Sequence, residues 1–224
     1  MAIALDHLVV AAQTLEAGVA WCEATLGIVP GPGGRHPLMG THNRLLNIAT
    51  PAFPRAFLEI IAIDPQASAP GRPRWFDLDD AALHASLERT PALVHWVARC
   101  DDIDAEVAAL ARLGIERGRV IEATRDTPAG RLSWRISVRD DGARLFGGAL
   151  PTLIEWGGVH PVDTMPASGA TLEALTLRSP DAAPLREALN ALGSPVRIET
   201  GAPALTARLN TPRGAVCLRS PSDA

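Results

Sequence analysis

The chain contains no lysine and no tyrosine, and aromatic residues make up only 4% of its 224 positions. All 21 basic residues are therefore arginine. Without an ε-amine, Schiff-base catalysis, pyridoxal-phosphate anchoring and a phosphate-loop lysine are excluded. Without a phenol, tyrosine drops out of acid–base chemistry. There is no run of basic residues and the net charge is -4, so binding to nucleic acid or to an anionic membrane is not expected, because both draw on clustered positive charge. No apolar stretch approaches the roughly 20 residues of a membrane span. The segment from Met1 to His7 lacks the cationic and then apolar pattern of an export signal. A cytoplasmic protein with a small-molecule partner is the expectation. The three cysteines, Cys22, Cys100 and Cys217, are odd in number and far apart, which reads as small buried apolar residues rather than disulfides or zinc ligands.

What is present is a core-sized apolar fraction, 47%, and a repeat. A β-rich run, Leu5 to Val10, leads through Thr14, a suitable N-cap, into a helical segment from Leu15 to Leu26 that closes at Gly27. The outline returns at Ala92 to Val97, where Asp101 or Asp102 caps a helix through Ile103, Val107, Leu110 and Leu113 that closes at Gly114. It returns again at Leu172 to Leu177, where Ser179-Pro180-Asp181 opens a helix ending at Leu192-Gly193. Each closing glycine follows the middle of its strand (His7, His95, Ala174) by 20, 19 and 19 residues. After each glycine the period becomes strand-like: 28–31, 41–49 and 55–63, then 118–124, 131–138 and 152–156, then 195–199, 204–209 and 215–219.

These patterns predict an α+β fold of repeated βαβββ modules. Module 1 covers 1–64, a Pro-rich linker with a short helix (77–89) covers 65–90, module 2 covers 91–160, and a third, degenerate module covers 168–224. Trp75 and Phe76, at the end of the linker's Pro-rich part, are placed to fold back as part of a pocket wall.

Strand parity sorts the polar residues, since successive side chains point to opposite faces. His7 and His95 hold the same position of equivalent first strands. Glu59 sits inside Phe57-Leu58-Glu59-Ile60-Ile61, and Glu155 inside Leu153-Ile154-Glu155-Trp156, on equivalent last strands. A carboxylate in such a run is costly to bury unpaired. One histidine and one glutamate per module suit a divalent metal with mixed nitrogen and oxygen ligands, with Zn, Ni, Fe, Co and Mn all open. The competing reading makes each a hydrogen-bonded core residue.

The chain at this point resembles the vicinal oxygen chelate superfamily (glyoxalase, bleomycin-resistance and dioxygenase proteins), in its glyoxalase-like branch. The residues that carry the resemblance are Leu5-Asp6-His7-Leu8-Val9, Gly40-Thr41-His42-Asn43, Phe57-Leu58-Glu59-Ile60-Ile61 and Leu153-Ile154-Glu155-Trp156-Gly157. It implies two modules paired into a curved half-barrel sheet around one site. There His7, Glu59, His95 and Glu155 match the metal-ligand positions one by one, and Glu59 or Glu155 is the catalytic base. The implied activity is that of a metal-dependent lyase or isomerase working through an enediolate-like intermediate. The alternative is metal-free small-molecule binding of the bleomycin-resistance type. A dioxygenase is less favoured, because a fourth ligand leaves less room for oxygen.

Ala174 and Val216 or Cys217 stand where the third unit should carry its ligands, so that unit forms no site of this type. Its unpaired sheet would leave an apolar face open, which predicts a homodimer. Further pocket candidates are His42 and Asn43, after the glycine-rich loop 30–40, and Trp134 and Arg135, of which only one can face the pocket by parity. His84 and His160 read as surface residues.

Overall fold

The computed structural model describes residues 2–127 and 130–221; the outermost positions of the first and third expected modules, 1 and 222–224, lie outside them. Four helices and twelve strands form two sheets. The larger sheet has eight strands: β1 (Ala4–Ala11), β2 (Arg35–His36), β3 (Thr41–Asn47), β4 (Phe57–Ile63), β5 (Ala92–Arg99), β6 (Arg119–Thr127), β7 (Gly130–Val138) and β8 (Thr152–Trp156), in the order β2-β3-β4-β1-β5-β8-β7-β6. Each half pairs its first and last strands in parallel, β1 with β4 and β5 with β8, and the halves join through the antiparallel pair β1–β5. This is the curled half-barrel that the resemblance implied.

Helix α1 (Leu15–Leu26) starts at Thr14, whose hydroxyl accepts the Ala17 amide at 3.1 Å, and ends at Gly27, whose φ of 75° needs a residue without Cβ. α2 (Ala81–Leu87) is capped by Asp80 and follows a single 3-10 turn at Trp75–Asp77, so the linker helix is shorter than expected. α3 (Ile103–Arg112) is capped by Asp102. The expected strand at 28–31 is absent apart from one bridge, Gly31 to Leu45. Pro30 and Pro32 deny that segment two ladder donors, and the edge strand forms later, as β2.

The third unit has β9 (Thr171–Ser179), α4 (Ala182–Ala191), β10 (Arg197–Thr200), β11 (Ala204–Thr211) and β12 (Gly214–Arg219). Its element order matches the other units, but its sheet order is β10-β9-β11-β12. Here the strand after the helix lies parallel beside the first strand, as in a simple βαβ crossover, whereas in the other units that strand lies at the far edge. The unit is therefore not a third copy of the same pairing.

The larger core lies on the convex side of the eight-stranded sheet. Leu8, Val10, Leu58, Ile60, Trp96 and Leu153 pack there with residues of α1, α3 and α4 and with Leu172, Leu177, Leu205 and Leu209 of the second sheet. The apolar face that suggested a homodimer is thus covered within the chain. Truncating one of these leucines to alanine costs about 2–5 kcal/mol. Cys22 and Cys100 are buried, and desolvation pushes both thiols up to about 12; Cys217 is exposed, contrary to expectation. On the concave side Val9, Ile61, Val97, Ile136 and Ile154 form a second cluster, closed over by Trp75, Phe76 and Leu78. Among the described residues no helix is long and apolar enough to cross a membrane.

Candidate functional site

The pairing registers decide which side chains reach the concave face. Phe57 lies opposite His7 and Glu59 opposite Val9, while Leu45 lies opposite Glu59 and Asn43 opposite Ile61. His7, Asn43 and Glu59 therefore converge, and they line a cavity of about 50 Å³ with His36, Arg125, Phe57, Trp75, Phe76, Trp134 and Trp156. Three of the five tryptophans and two of the four phenylalanines stand in this one wall. The scarcity of aromatics along the chain conceals their concentration here, and Trp75 and Phe76 do fold back as expected.

The register slips between Leu5 and His7 in the β1–β5 ladder, and at this irregularity Asp6 meets the His7 ring. Asp6 Oδ1 accepts from His7 Nδ1 at 2.7 Å. Its Oδ2 accepts from His160 Nε2 at 2.9 Å and from Trp156 Nε1 at 3.0 Å. His160 Nδ1 accepts the Val162 amide at 3.2 Å, which leaves the proton on Nε2 for Asp6. Burial works to raise the Asp6 pKa, but the bonds from His160 and His7 outweigh it and hold the carboxyl at about 2. His160 is 1% exposed, so it is not the surface residue expected. Its local sequence carries no periodic signal for burial; only the fold brings it across 154 positions to Asp6.

Held this way, His7 stacks on Phe57 with ring centroids 4.5 Å apart and turns Nε2 toward Glu59 Oε2 at 3.5 Å. Glu59 Oε1 accepts from Asn43 Nδ2 at 2.6 Å, and Asn43 Oδ1 accepts the Gly34 amide at 2.7 Å. This explains the glycine-rich loop. A Cβ on Gly33 would lie 2.1 Å from the Asn43 carbonyl oxygen, so only glycine lets the loop approach closely enough to orient Asn43. His36 adjoins Asn43 and bonds Thr41 Oγ1 at 3.0 Å. Burial lowers His36 to about 4, against the pull of Glu59 and with the push of Arg125, so it is neutral at pH 7. Arg125 is half-buried in the wall, its Nε without a partner. Desolvation lowers its pKa and Glu59 raises it.

The four expected metal ligands do not assemble. Glu155 has the wrong parity: Thr152 and Ile154 pair with Val97 and Arg99, and Ile154 and Trp156 line the cavity. Glu155 therefore turns to the convex side, where Oε2 accepts the Ile103 amide at the start of α3 (2.8 Å) and Arg135 Nη1 at 3.3 Å. It is corrected from ligand and base to helix cap. His95 does face the concave side, but Nδ1 donates to Gly148 O and Nε2 accepts the Thr152 amide, each at 3.1 Å. Both nitrogens are committed, and the ring lies under Phe76 at 5.0 Å. Among the described residues no group of three or more His, Cys, Asp or Glu is placed to hold a metal ion. The donor set thus does not fit the divalent metal that the resemblance implied.

The remaining candidates divide by parity. Trp134 lines the cavity, while Arg135 points to the far side and bonds Asp104 at 2.7 Å. Asn43 enters the site, whereas His42, one residue earlier, occupies the opposite face, with its Nε2 buried and unpartnered. Next to the polar cavity lies a larger, mostly apolar one of about 260 Å³. It shares His36, Trp75, Trp134 and Ile136 with it and adds Leu38, Met39 and Ile121.

A crystal structure of a hypothetical protein from Staphylococcus aureus is similar over 90% of this chain and 87% of its own, with TM-score 0.61 and 15% identity, which marks a shared fold. A methylmalonyl-CoA epimerase in complex with methylmalonyl-CoA and NH4+ is similar over 71% of this chain and 99% of its own (19% identity, TM-score 0.44). The epimerase from Mycobacterium tuberculosis is similar over 72% and 92% (20% identity, TM-score 0.40). No curated protein matches the chain significantly. The glyoxalase-like domain family matches residues 5–193, most of the chain and every strand of the eight-stranded sheet, and the protein belongs to that family within the vicinal oxygen chelate superfamily.

Proposed function

We propose that the protein binds a small carbonyl compound with an apolar substituent and moves a proton on the carbon next to the carbonyl, as an isomerase or lyase. The observation that carries this reading is the Asp6–His7–Glu59 relay. A buried acid fixes one histidine nitrogen, and the other faces a second carboxylate at the wall of an aromatic cavity. Glu59 Oε2 accepts the proton from carbon, and the C–H electron pair moves toward the carbonyl oxygen. The Arg125 guanidinium stabilises the negative charge that develops there, and His7 Nε2, the acceptor nitrogen, lies within reach of the proton once Glu59 Oε2 has taken it. Return of the proton from Glu59 to a different carbon on the same face completes an isomerisation. Asn43 holds Glu59 in the reactive orientation through its 2.6 Å bond.

The two adjoining cavities supply the substrate specification. The polar chamber admits a small head group, and the apolar space between Met39, Trp134 and Ile121 accepts a substituent. The test is solvent deuterium exchange at the α-carbon of short 2-oxo and 2-hydroxy acids and aldehydes by the purified protein, followed by NMR. Exchange lost in Glu59→Gln supports the reading; no exchange with any member of the panel would sink it.

A second reading, binding without turnover, is favoured by the five aromatic side chains in the wall, which suit sequestration of a flat apolar molecule. Tight binding that persists unchanged in Glu59→Gln, with no exchange in either protein, identifies this case.

A further inference from the structure

Arg125 comes from β6, in the second half of the eight-stranded sheet, yet it packs on the glycine-rich loop of the first half. A Cβ built on Gly34 would lie 2.1 Å from its Nη1. The two adjacent glycines of this loop thus serve different side chains. Gly33 lets the loop approach Asn43, and Gly34 leaves the space that the Arg125 guanidinium occupies. Gly34 has no positive φ, so what a side chain there would take away is room for the guanidinium.

Arg125 has neither a hydrogen bond nor an ion pair among the described residues. Its Nε is enclosed in the wall, whereas Nη1 and Nη2 stay accessible on a half-exposed residue that lines the cavity. Arg144 and Arg135, by contrast, each sit on a carboxylate. Glu59 is the one carboxylate in the same lining. It is engaged by Asn43 at 2.6 Å and by His7 at 3.5 Å and forms no ion pair with Arg125. The two charges still sense each other, since Glu59 raises the Arg125 pKa against desolvation. His36, in the same wall, is neutral at pH 7 and supplies no counter-charge. A partly desolvated guanidinium whose terminal donors lack a partner is built to receive an anion.

We infer that the ligand of this cavity is a carboxylate of the 2-oxo acid class, selected by Arg125, whose two terminal nitrogens bond one carboxylate oxygen and the neighbouring carbonyl oxygen. The carbonyl half of this assignment rests on the proton-transfer reading above; the carboxylate half rests on Arg125 and Gly34. The fork of a guanidinium presents two roughly parallel N–H groups, and the O–C–C–O edge of a 2-oxo acid offers two oxygens to meet them. Like-charge repulsion from Glu59 keeps the carboxylate on the Arg125 side. That turns the carbon on the far side of the carbonyl toward Glu59 and its substituent toward Met39, Ile121 and Trp134. The head group is not confined to the polar space of about 50 Å³, because the space of about 260 Å³ adjoins it and shares His36, Trp75, Trp134 and Ile136.

The probes are 2-oxohexanoate and 2-oxohexanamide, which have nearly the same shape and differ in charge. Binding to the full chain is followed by tryptophan fluorescence, since Trp75, Trp134 and Trp156 line the cavity. The acid should bind about tenfold or more tighter than the amide, and Arg125→Gln should abolish that preference while leaving the amide's Kd unchanged. Gly34→Ala, whose Cβ displaces only the flexible end of Arg125, should weaken acid binding about tenfold with an unchanged melting temperature; it decides the matter if Arg125→Gln does not fold. Acid and amide bound alike, neither bound, or a preference for the acid that survives in the folded variants would overturn the inference. Arg125-dependent preference for the acid without deuterium exchange would sink the proton-transfer reading and keep the carboxylate site. Exchange into the amide as fast as into the acid would do the reverse.

Discussion

Asp6 Oδ2 and His160 Nε2 meet at 2.9 Å across 154 positions of sequence, and the same carboxylate orients His7. One buried acid therefore ties the first strand to the segment after β8 and sets the tautomer of the histidine that faces the cavity. Replacing it by asparagine, Asp6→Asn, leaves two imidazoles bonded to a group that cannot accept from both as an anion. The variant should lose about 2 kcal/mol in urea denaturation, and exchange activity should fall although Glu59 is untouched. Because the folded pKa is depressed to about 2 from 3.8, this carboxylate's contribution is complete above about pH 4 and lost as pH falls toward 2. The wild-type melting temperature should drop through that window, and the Asp6→Asn variant should show a shallower drop.

Glu59→Gln keeps an oxygen for the Asn43 amide and should therefore fold normally. As the base of the proposed reaction, however, it has no substitute. Deuterium exchange should fall by about 10²–10⁴-fold, with the melting temperature within a few degrees of wild type. An exchange rate unchanged in this variant would remove Glu59 from the mechanism.

Glu155→Ala separates the observed arrangement from a four-ligand site. Its carboxylate caps α3 through the Ile103 amide, so the loss should be structural, about 1 kcal/mol or a few degrees of melting temperature. Exchange activity should be retained. Abolished activity in a folded Glu155→Ala protein would contradict its place on the convex side.

His36 gives a pH-dependent stability of opposite chemical sign to a carboxylate but the same direction. Its folded pKa is lowered to about 4 from 6.5, so the unfolded chain takes up a proton that the folded chain refuses between those values. Stability is full above about pH 6.5 and declines as pH falls toward 4. Urea midpoints measured across that interval should decline for wild type and be flatter for His36→Gln.

Gly33→Ala tests the loop. Its Cβ would meet the Asn43 carbonyl at 2.1 Å, and backbone on both sides must shift. Exchange activity should fall further than stability does, since Asn43 orients Glu59; an unaffected kcat would show that this orientation is not needed.

Much of the scaffold was legible in the chain because its signals are local. Thr14 and Gly27 mark the ends of α1 through one side-chain bond and one positive φ, and a glutamate inside an apolar last strand marked Glu59 as a polar residue in need of a partner. Parity alone could not say which face of β8 is concave, so Glu155 was assigned inward when Ile154 and Trp156 hold that face. Likewise the third unit repeats the element order of the others, yet strand adjacency depends on where the chain packs after α4, and β10 settles beside β9.

By itself, the sequence determined most of the secondary elements, the repeated halves, the exclusion of lysine and tyrosine chemistry, and the equivalent positions of His7 and His95 and of Glu59 and Glu155 in their strands. Those follow from short-range sterics, capping and strand period. Only the tertiary structure decided that Asp6 and His160 join the site, that His95 is closed off by Thr152 and Gly148, that Glu155 caps a helix, and that the second sheet covers the convex side. Each of these depends on contacts between residues far apart in the chain, where pairing register and burial determine which partner a polar group meets.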